Sequence, residues 1–440
     1  MWSARGLFRK QPARAGRAGQ PARPPAQRID PYVTISAVRG GIAQPVPPDE
    51  QVRQQALREA FTPTRPQRSF RRVAGRKPEM LRILRAIGQE RAHVVLFGER
   101  GRGKTSLVNL VSAAARAAGY MVGRYTCAWD SDFDQIIRGL ARDLPRSMLA
   151  IPAVESEVLE GCEAGLPQGT LQPRDVAVFP GRLAGRHLLL IVDEFDRVAD
   201  SATRTRFADT IKQVSDRGAA VSFIIIGVSD SLEELIGRHP SIQRNVIGVP
   251  AALLSEPEVQ EILDHGSRDA QIDFPPAIRS AISHYAQGLP YIVQLLGLYC
   301  GDKALSRGGR TVSQADLMAA IRRAVDEIDP HVAVRYEGLT RGGRDWEMEH
   351  ALCGIAGGRL DRFGRFLVLE EEGNVWVAGQ PVSSTLWARL TESGAVRSCP
   401  SAGFGLYCFT EPMLCNYTLL REALASAPQP TAMAQGEQAL

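Results

Sequence analysis

Short hydrophobic runs alternate with amphipathic stretches along the first half of the sequence, between about residues 78 and 250. Most of these runs lack polar alternation, which predicts strands that are buried on both faces of a sheet. The predicted strands are residues 94–97, 120–127, 187–192, 221–226 and 246–249. Helical spacing is found at residues 78–90, 104–118, 133–144 and 203–217. This order predicts an α/β domain over residues 51–250, in which a parallel sheet is flanked by helices.

The pattern changes after Pro250, where the strand-like runs stop. Four amphipathic stretches predict a helical lid over residues 251–335. Its helices are expected at residues 256–265, 276–286, 291–301 and 313–328. Short elements then return: a helix at 383–390, strands at 396–398 and 405–409, and a closing helix at 414–420. We interpret residues 345–421 as a small α+β domain that is compatible with a winged helix.

Both ends of the chain lack hydrophobic periodicity. Residues 1–29 hold seven Lys or Arg residues and no acid, and Pro24 and Pro25 break any helix. We interpret residues 1–50 as a disordered basic tail, with three alternatives: a solvated tail, an arm that holds nucleic acid, or an organelle transit peptide. Residues 425–440 are interpreted as a second disordered tail. The formal net charge of +5 therefore comes from the basic tail and not from the folded part.

Composition excludes several classes of protein. Hydrophobic residues make up 44% of the chain and charged residues 23%, as in globular proteins. No hydrophobic run approaches the ~18 residues of a membrane-spanning helix, so we expect no membrane partner. The seven cysteines include no C-x-x-C pair, which argues against a disulfide framework and a zinc site. Reduced thiols predict a cytoplasmic location.

The strongest chemical signal is the sequence GERGRGKT at residues 98–105. It matches the phosphate-loop pattern G-x-x-x-x-G-K-[ST], directly after one predicted strand and directly before a helix. Its glycines let successive backbone N–H groups face a phosphate, and the helix N-terminus adds a partial positive charge. We expect Lys104 to reach the β- and γ-phosphates and Thr105 to ligate Mg²⁺. The candidate nucleotide-binding residues of this segment are Gly98, Glu99, Arg100, Gly101, Arg102, Gly103, Lys104, Thr105 and Ser106.

Two acids, Asp193 and Glu194, end the hydrophobic run at 187–192. The carboxyl ends of parallel strands form the edge of the sheet at which ligands bind. We therefore expect Asp193 to hold Mg²⁺ through water and Glu194 to act as general base for an attacking water. Ser229 follows the run at 221–226, on a strand that we expect between the other two. It is our candidate for a polar side chain near the γ-phosphate, although serines at strand ends also serve turns.

Together these segments resemble the AAA+ ATPases, and within them bacterial P-loop proteins close to the origin-recognition and transposition-helper type. The resemblance covers about residues 55–335. It rests on VAGRKPE at 73–79, which is similar to the family's G-R-x-x-E box, on the Walker A loop at 98–105, on the Walker B strand at 188–194 and on a sensor 1 strand at 224–229. It implies that Gly75 and Arg76 contact adenine, that ATP and Mg²⁺ are the cofactors, and that a homo-oligomer is a candidate assembly.

Two further positions of the sequence can be compared with motifs of that family. An arginine before the last strand often reaches the γ-phosphate of the neighbouring subunit; here Arg244 is the candidate and Arg238 the reserve, and a surface arginine is the alternative. The sequence GLPY at 288–291 resembles the sensor 2 motif, in which an arginine usually follows Gly-x-Pro. Tyr291 takes that position, and a tyrosine does not clamp a phosphate as a cation does. This departure implies a slow ATPase or a switch that senses bound ATP.

The sequence therefore predicts an ATPase that couples ATP–Mg²⁺ turnover to conformational change or assembly, with Glu194, Lys104, Ser229 and Arg244 as catalytic residues. DNA is a candidate partner through the basic tail or the C-terminal domain. Only Arg389 in the predicted recognition segment and Arg397 in the wing are cationic, so a protein contact is nearly as well supported. The alternative function is a nucleotide-dependent signalling switch with slow or no hydrolysis that binds a protein. A small-molecule kinase is a more distant interpretation.

Overall fold

The computed structural model describes most of the folded part of the chain. The described residues are 48–65, 75–145, 147, 161–183, 187–229, 235, 244–371, 374–400 and 403–427. The predicted basic tail lies outside the described residues up to Pro47, and so does most of the second tail, from residue 428. Three residues named above, Val73, Ala74 and Arg238, also lie outside them.

A five-stranded parallel sheet forms the centre of the first domain and confirms the predicted α/β fold. Its strands are β1 (His93–Phe97), β2 (Met121–Thr126), β3 (Leu188–Asp193), β4 (Val221–Gly227) and β5 (Val246–Pro250). They lie in the order β2-β3-β4-β1-β5, and every neighbouring pair is parallel. The strand that precedes Ser229, β4, is thus placed between β3 and β1, as the sequence predicts.

Alternate residues of the central strands enter two different hydrophobic clusters, one on each face of the sheet. In β4, Phe223 and Ile225 belong to one cluster, and Ile224 and Ile226 belong to the other. This two-sided burial explains why the strands read as uninterrupted hydrophobic runs. The helices of this half of the chain are α1 (Pro48–Ala60), α2 (Lys77–Arg85), α3 (Lys104–Ala117), α4 (Phe133–Arg142), α5 (Pro173–Val178) and α6 (Ser201–Asp216).

Five helices follow the sheet and include the four predicted for the lid. They are α7 (Glu256–Ala270), α8 (Pro276–Ala286), α9 (Pro290–Ser306), α10 (Gln314–Glu327) and α11 (Pro330–Thr340). Although α1 comes before the sheet in the chain, its end packs on this lid. The Phe61 ring lies so close to Gly266 of α7 and Gly297 of α9 that a Cβ atom at either glycine would overlap it. Phe61 also makes an edge contact with Phe274, at 6.0 Å between ring centroids.

The C-terminal region is a small α+β domain, as predicted, built on an antiparallel sheet. Its elements are α12 (Trp346–Ala356), β6 (Arg365–Glu371), β7 (Asn374–Val377), β8 (Gln380–Val382), α13 (Ser384–Glu392), β9 (Val396–Ser398), β10 (Leu406–Phe409) and α14 (Pro412–Ala425). The sheet order is β8-β7-β6-β10-β9. Sequence analysis found β9, β10, α13 and α14 but missed β6–β8. In β6, Leu367 and Leu369 lie on the exposed face, so the expected polar alternation is absent.

The lid and the C-terminal domain share one hydrophobic core. Tyr336 of α11 and Tyr417 of α14 meet edge to face at 5.3 Å between ring centroids. The buried Asn416 side chain donates hydrogen bonds to the carbonyl oxygens of Tyr285 and Ala286, at the end of α8. These contacts fix the C-terminal sheet relative to the lid. Within the described residues, no helix is both long and hydrophobic enough to cross a membrane.

Candidate functional site

The loop between β1 and α3 has the backbone geometry that its glycines permit. Gly101 and Gly103 adopt φ values of 76° and 80°, in the left-handed region that favours glycine. Gly103 is the N-cap of α3, so the helix begins at Lys104 directly after the turn. The loop therefore directs the N-terminus of a 14-residue helix at the space in front of it.

Lys104 is held by the loop that precedes it. Its Nζ donates hydrogen bonds to the carbonyl oxygens of Gly98 and Glu99, the latter at 3.0 Å. Burial lowers the pKa of Lys104 to about 8, partly opposed by the negative charges of Glu99, Asp196 and Asp193. A partly buried cation of this kind gains most from a ligand that brings negative charge.

A cleft of about 530 Å³ opens in front of the loop, and we call it the phosphate-loop cleft. Its size falls in the usual range of about 300–1,000 Å³ for small-molecule sites. Most of its lining comes from four parts of the chain: Thr62–Arg65 after α1, Arg100–Ser106 of the loop, Asp193, Glu194, Asp196, Arg197 and Ile226–Val228 at strand ends, and Pro290, Tyr291 and Gln294 of the lid. Arg76, Leu254 and Ile262 complete it. The cleft thus lies between the carboxyl edge of the sheet and the lid.

Asp193 is the last residue of β3 and is 6% exposed. Its Oδ2 accepts a hydrogen bond from Arg124 of β2, and its Oδ1 accepts one from the Glu194 backbone at 3.0 Å. Arg124 also donates to Asn109 Oδ1 at 2.8 Å. The carboxylate is therefore fixed at the floor of the cleft, with its charge balanced by one arginine.

Glu194 differs from its neighbour in both backbone and environment. Its φ is 54°, which is strained for a residue with a side chain and recurs at functional sites. Its side chain is about half exposed and accepts a hydrogen bond from Arg197 Nη1 at 2.8 Å. A solvated carboxylate beside a fixed one is the arrangement that a general base and a metal-side acid require.

Asp196, which follows the two acids in the chain, joins two parts of the site. Its Oδ1 accepts a hydrogen bond from the Val228 backbone at 2.9 Å. This contact ties the turn after β3 to the end of β4. The residue lines the phosphate-loop cleft and contributes negative charge at Lys104.

Ser229 is buried and sits at the end of β4. Residues Ile226–Val228 line the phosphate-loop cleft, whereas Ser229 lines a second cavity behind the loop. The catalytic role of Ser229 stays a prediction.

Gly75 and Arg76 lie where the chain returns from the lid to the sheet. Arg76 is buried, which lowers its pKa, and donates hydrogen bonds of 2.7 Å to the carbonyl oxygens of Arg102 and Ala252. It also pairs with Glu79 at 3.2 Å. Arg76 lines the cleft and braces the phosphate loop; its predicted contact with adenine stays a prediction.

The two residues compared with oligomeric ATPases occupy different places. Tyr291 begins the lid helix α9 and lines the cleft, and a Cβ atom built on Gly101 would lie 3.5 Å from its Cβ. Burial raises the pKa of Tyr291. Arg244 is exposed in the turn before β5 and is not among the residues that line the cleft. Its predicted action on a neighbouring subunit stays a prediction.

Two loop residues contact the C-terminal domain, which sequence analysis did not foresee. Glu99 Oε1 accepts a hydrogen bond of 3.2 Å from Arg397 of β9, 298 residues later. Arg102 donates to the Phe363 carbonyl at 2.8 Å and to the Ala251 carbonyl at 3.3 Å. No local pattern signals contacts over such a separation in the chain.

Residues 86–236 match the family model described as an AAA domain. Among solved structures, the chain is similar to a Walker-type ATPase of Pyrococcus abyssi, with 15% identity, a TM-score of 0.48, and coverage of 81% of this chain and 99% of that chain.

It is also similar to the Orc1 protein of Aeropyrum pernix, solved in complex with DNA, with 15% identity, a TM-score of 0.39, and coverage of 84% and 96%. The chain is similar as well to the RuvB Holliday junction branch migration motor of Thermotoga maritima. The identity is 13%, the TM-score is 0.41, and the match covers 82% of this chain and 97% of that chain. No curated protein sequence matches the chain.

Proposed function

We propose that this chain, whose residues 86–236 match the family model described as an AAA domain, binds ATP with Mg²⁺ in the phosphate-loop cleft and hydrolyses it. The energy of turnover would drive a change in conformation or assembly. The observation that carries the proposal is the convergence, in one cleft, of the loop Arg100–Ser106 with the acids Asp193 and Glu194 and the lid residue Tyr291.

Binding of the phosphates is supported by the loop itself. The N-terminus of α3 faces the cleft, and Lys104 is a partly buried cation at its first position. An anion in front of the loop would gain hydrogen bonds from backbone N–H groups and would raise the pKa of Lys104. Arg76 keeps the loop in place through the carbonyl of Arg102.

The residues present also suit Mg²⁺. The Thr105 hydroxyl and the Asp193 carboxylate are hard oxygen donors that line the same cleft. When bound, Mg²⁺ neutralises the charge of the β- and γ-phosphates. Asp193 is held in position by Arg124 and by the Glu194 backbone, so it offers a fixed oxygen at the floor of the site.

Glu194 is the residue that we assign to activate water. Its carboxylate is solvated and stands beside the cleft, whereas Asp193 is buried and paired. In the structure the Glu194 carboxylate is held by Arg197. Together with Tyr291 in the lid in place of a cation, this pair supports a low basal rate of hydrolysis.

The ion pairs of the C-terminal domain affect whether this domain could bind DNA. Arg389 pairs with Asp345 and Arg397 pairs with Glu99. These are the two cations that the sequence offered for DNA in this domain, and both are engaged within the molecule. We therefore place any DNA contact elsewhere, with the basic tail as the first segment to test.

ATP turnover by the full-length wild type and by Glu194→Gln tests the proposal, with binding of a fluorescent ATP analogue measured in parallel. We expect the variant to bind the analogue as well as the wild type and to lose turnover by about 10²- to 10⁴-fold. Glu392→Gln, at an exposed position of α13, is the matched control and should behave as the wild type.

Failure of both proteins to bind the analogue would overturn the proposal. If both bind ATP and neither hydrolyses it, the signalling switch replaces the ATPase. Duplex DNA, added to the wild type and to a variant that lacks residues 1–47, tests the role of the basic tail. Sizing with and without ATP tests assembly.

A further inference from the structure

A second cavity, of about 250 Å³, lies behind the phosphate loop. We call it the rear cavity. Its wall on one side is formed by Gly98, Glu99 and Arg102 of the loop, and Arg102 also lines the phosphate-loop cleft. Its opposite wall belongs to the C-terminal domain and includes Cys399 and Cys408. A chemical change at Cys399 or Cys408 therefore takes place in a cavity that the phosphate loop also lines.

Cys399 and Cys408 are in contact with each other. Their sulfur atoms lie 3.1 Å apart, and they are not joined by a disulfide. Cys399 directly follows β9 and its backbone donates to the Leu406 carbonyl, while Cys408 lies in the neighbouring strand β10. The two side chains are 4% and 8% exposed and line the rear cavity, which leaves a path for a small molecule.

The neighbours of Cys408 in the sheet are cationic. Arg397 of β9 and Arg365 of β6 are its two partners in the register of the strands, one on each side. Directly opposite residues of an antiparallel sheet share a face, so both guanidinium groups start from the same face as the Cys408 thiol. Both guanidinium groups are paired with carboxylates, Arg397 with Glu99 and Arg365 with Asp361, so the contact between the two sulfur atoms is the observation that carries the inference.

All seven cysteines are buried, and burial raises the pKa of Cys127, Cys353 and Cys415, in each case to about 12. Cys415 also lines the rear cavity, but its sulfur faces the Ala356 carbonyl oxygen and not another sulfur. Within the described residues, Cys399 and Cys408 form the one sulfur–sulfur contact that the structure shows. The pair is thus set apart from cysteines that serve as core side chains.

We propose that Cys399 and Cys408 form an oxidisable dithiol that reacts with peroxides. The thiolate of one cysteine attacks the O–O bond of hydrogen peroxide, which gives a sulfenic acid and releases one water after proton transfer. The second thiol attacks the sulfenic sulfur and releases a second water. In total the pair loses two protons and two electrons, the peroxide becomes two waters, and one disulfide is formed.

Closure of this bond acts on the phosphate loop through Arg397. Arg397 lies directly across from Cys408 and is two residues before Cys399, and its guanidinium pairs with Glu99. A disulfide draws the sulfur atoms to about 2 Å and fixes β9 against β10. A shift of Arg397 leaves the Glu99 carboxylate unbalanced in the loop, where negative charge opposes a phosphate. We expect oxidation to weaken nucleotide binding, a consequence that rests on the proposed function.

Peptide mapping of the full-length protein, before and after hydrogen peroxide, tests the dithiol without reference to ATP. A peptide pair joined through Cys399 and Cys408 should form in the wild type and in Cys353→Ser, a variant of a buried cysteine on α12. It should be absent from Cys399→Ser and from Cys408→Ser. Reduction by dithiothreitol should reverse it. If both thiols stay alkylatable after peroxide, or if each cysteine is oxidised alone, the proposed dithiol is wrong.

Affinity for a fluorescent ATP analogue, measured on the same samples, tests the coupling. Oxidation should lower the affinity by about three- to tenfold in the wild type and in Cys353→Ser, and leave Cys399→Ser unchanged. A disulfide that forms without a change in affinity overturns the coupling. Loss of binding in reduced and oxidised protein alike is instead a failure of the proposed function, and the mapping result is unaffected by it.

Discussion

The Arg124 guanidinium on β2 donates a hydrogen bond to the Asp193 carboxylate at the end of β3. Arg124 is itself positioned by Asn109 of α3, the helix that follows the phosphate loop. A three-residue connection thus runs from α3 through β2 to the acid that we assign to Mg²⁺. In this connection the Arg124 guanidinium balances the charge of the Asp193 carboxylate, which is buried.

Replacement of Arg124 by Gln should therefore destabilise the metal-free protein. Asp193 would keep its hydrogen bond from the Glu194 backbone but lose its counter-charge. Because Arg124 is partly exposed, we expect the free energy of unfolding to fall by only about 1–3 kcal/mol. Urea denaturation measures this change, and Arg85→Gln, on the exposed side of α2, is the control. A loss of the same size in both variants would contradict the role of the pair.

The pair between Arg197 and Glu194 leads to a prediction on the rate. If Arg197 restrains the proposed base, Arg197→Ala should raise kcat by about two- to fivefold, as expected for a half-exposed ion pair, and leave KM unchanged. Steady-state ATPase assays measure both constants, and Arg217→Ala, an exposed residue at the end of α6, is the control. A fall in kcat would instead show that Arg197 assists the reaction.

Lys104 predicts a pH dependence of stability. Its pKa is about 8 in the folded protein, below the 10.5 of a free lysine, because burial disfavours its charge. The unfolded chain therefore binds more protons between these two values, and stability rises with pH across this window. The cost of the charge is fully present below pH 8 and is removed as the pH rises above it.

The substitution Lys104→Met should remove this dependence of stability on pH, because methionine carries no titratable group. Denaturation of nucleotide-free protein at pH 7 and pH 9.5 should show the wild type gaining about 1–3 kcal/mol relative to the variant over this interval. If the difference between wild type and variant is the same at both pH values, Lys104 is protonated in the folded state over the whole interval.

Phe61 should be among the most costly side chains to truncate outside the sheet. It is 1% exposed and fills the space left by two glycines of different lid helices. We expect Phe61→Ala to lower the free energy of unfolding by about 3–5 kcal/mol. Val52→Ala, at a position of α1 that is 67% exposed, should change it by less than about 0.5 kcal/mol. Equal effects would show that α1 is not anchored by Phe61.

The parts of this molecule that sequence analysis predicted are those with local signals. The strand β4 is visible as an unbroken hydrophobic run because both of its faces are covered, and GERGRGKT is visible because a phosphate loop needs fixed residue types at fixed spacing. The position of Asp193 and Glu194 follows from the rule that parallel strands end at one edge.

The contacts that sequence analysis missed join distant segments. Glu99 gives no sign of its pairing with Arg397, and Cys399 and Cys408 are too few to suggest a framework or a metal site. The exposed residues Leu367 and Leu369 conceal the alternation of β6. The place of Ser229 depends on the course of the chain after β4 ends at Gly227, for which the sequence carries no local signal.

The packing of Phe61 makes the lid a discontinuous domain, because α1 belongs to it although the whole sheet lies between α1 and α7 in the chain. The chain therefore connects the lid with the sheet at two places. Both connections run along the phosphate-loop cleft: Thr62–Arg65 line it after α1, and Leu254 lines it before α7. The Thr62 backbone is further bound to Gln294 of the lid, at 2.8 Å. A ligand in the cleft therefore lies against both of the chain segments that join the lid to the sheet.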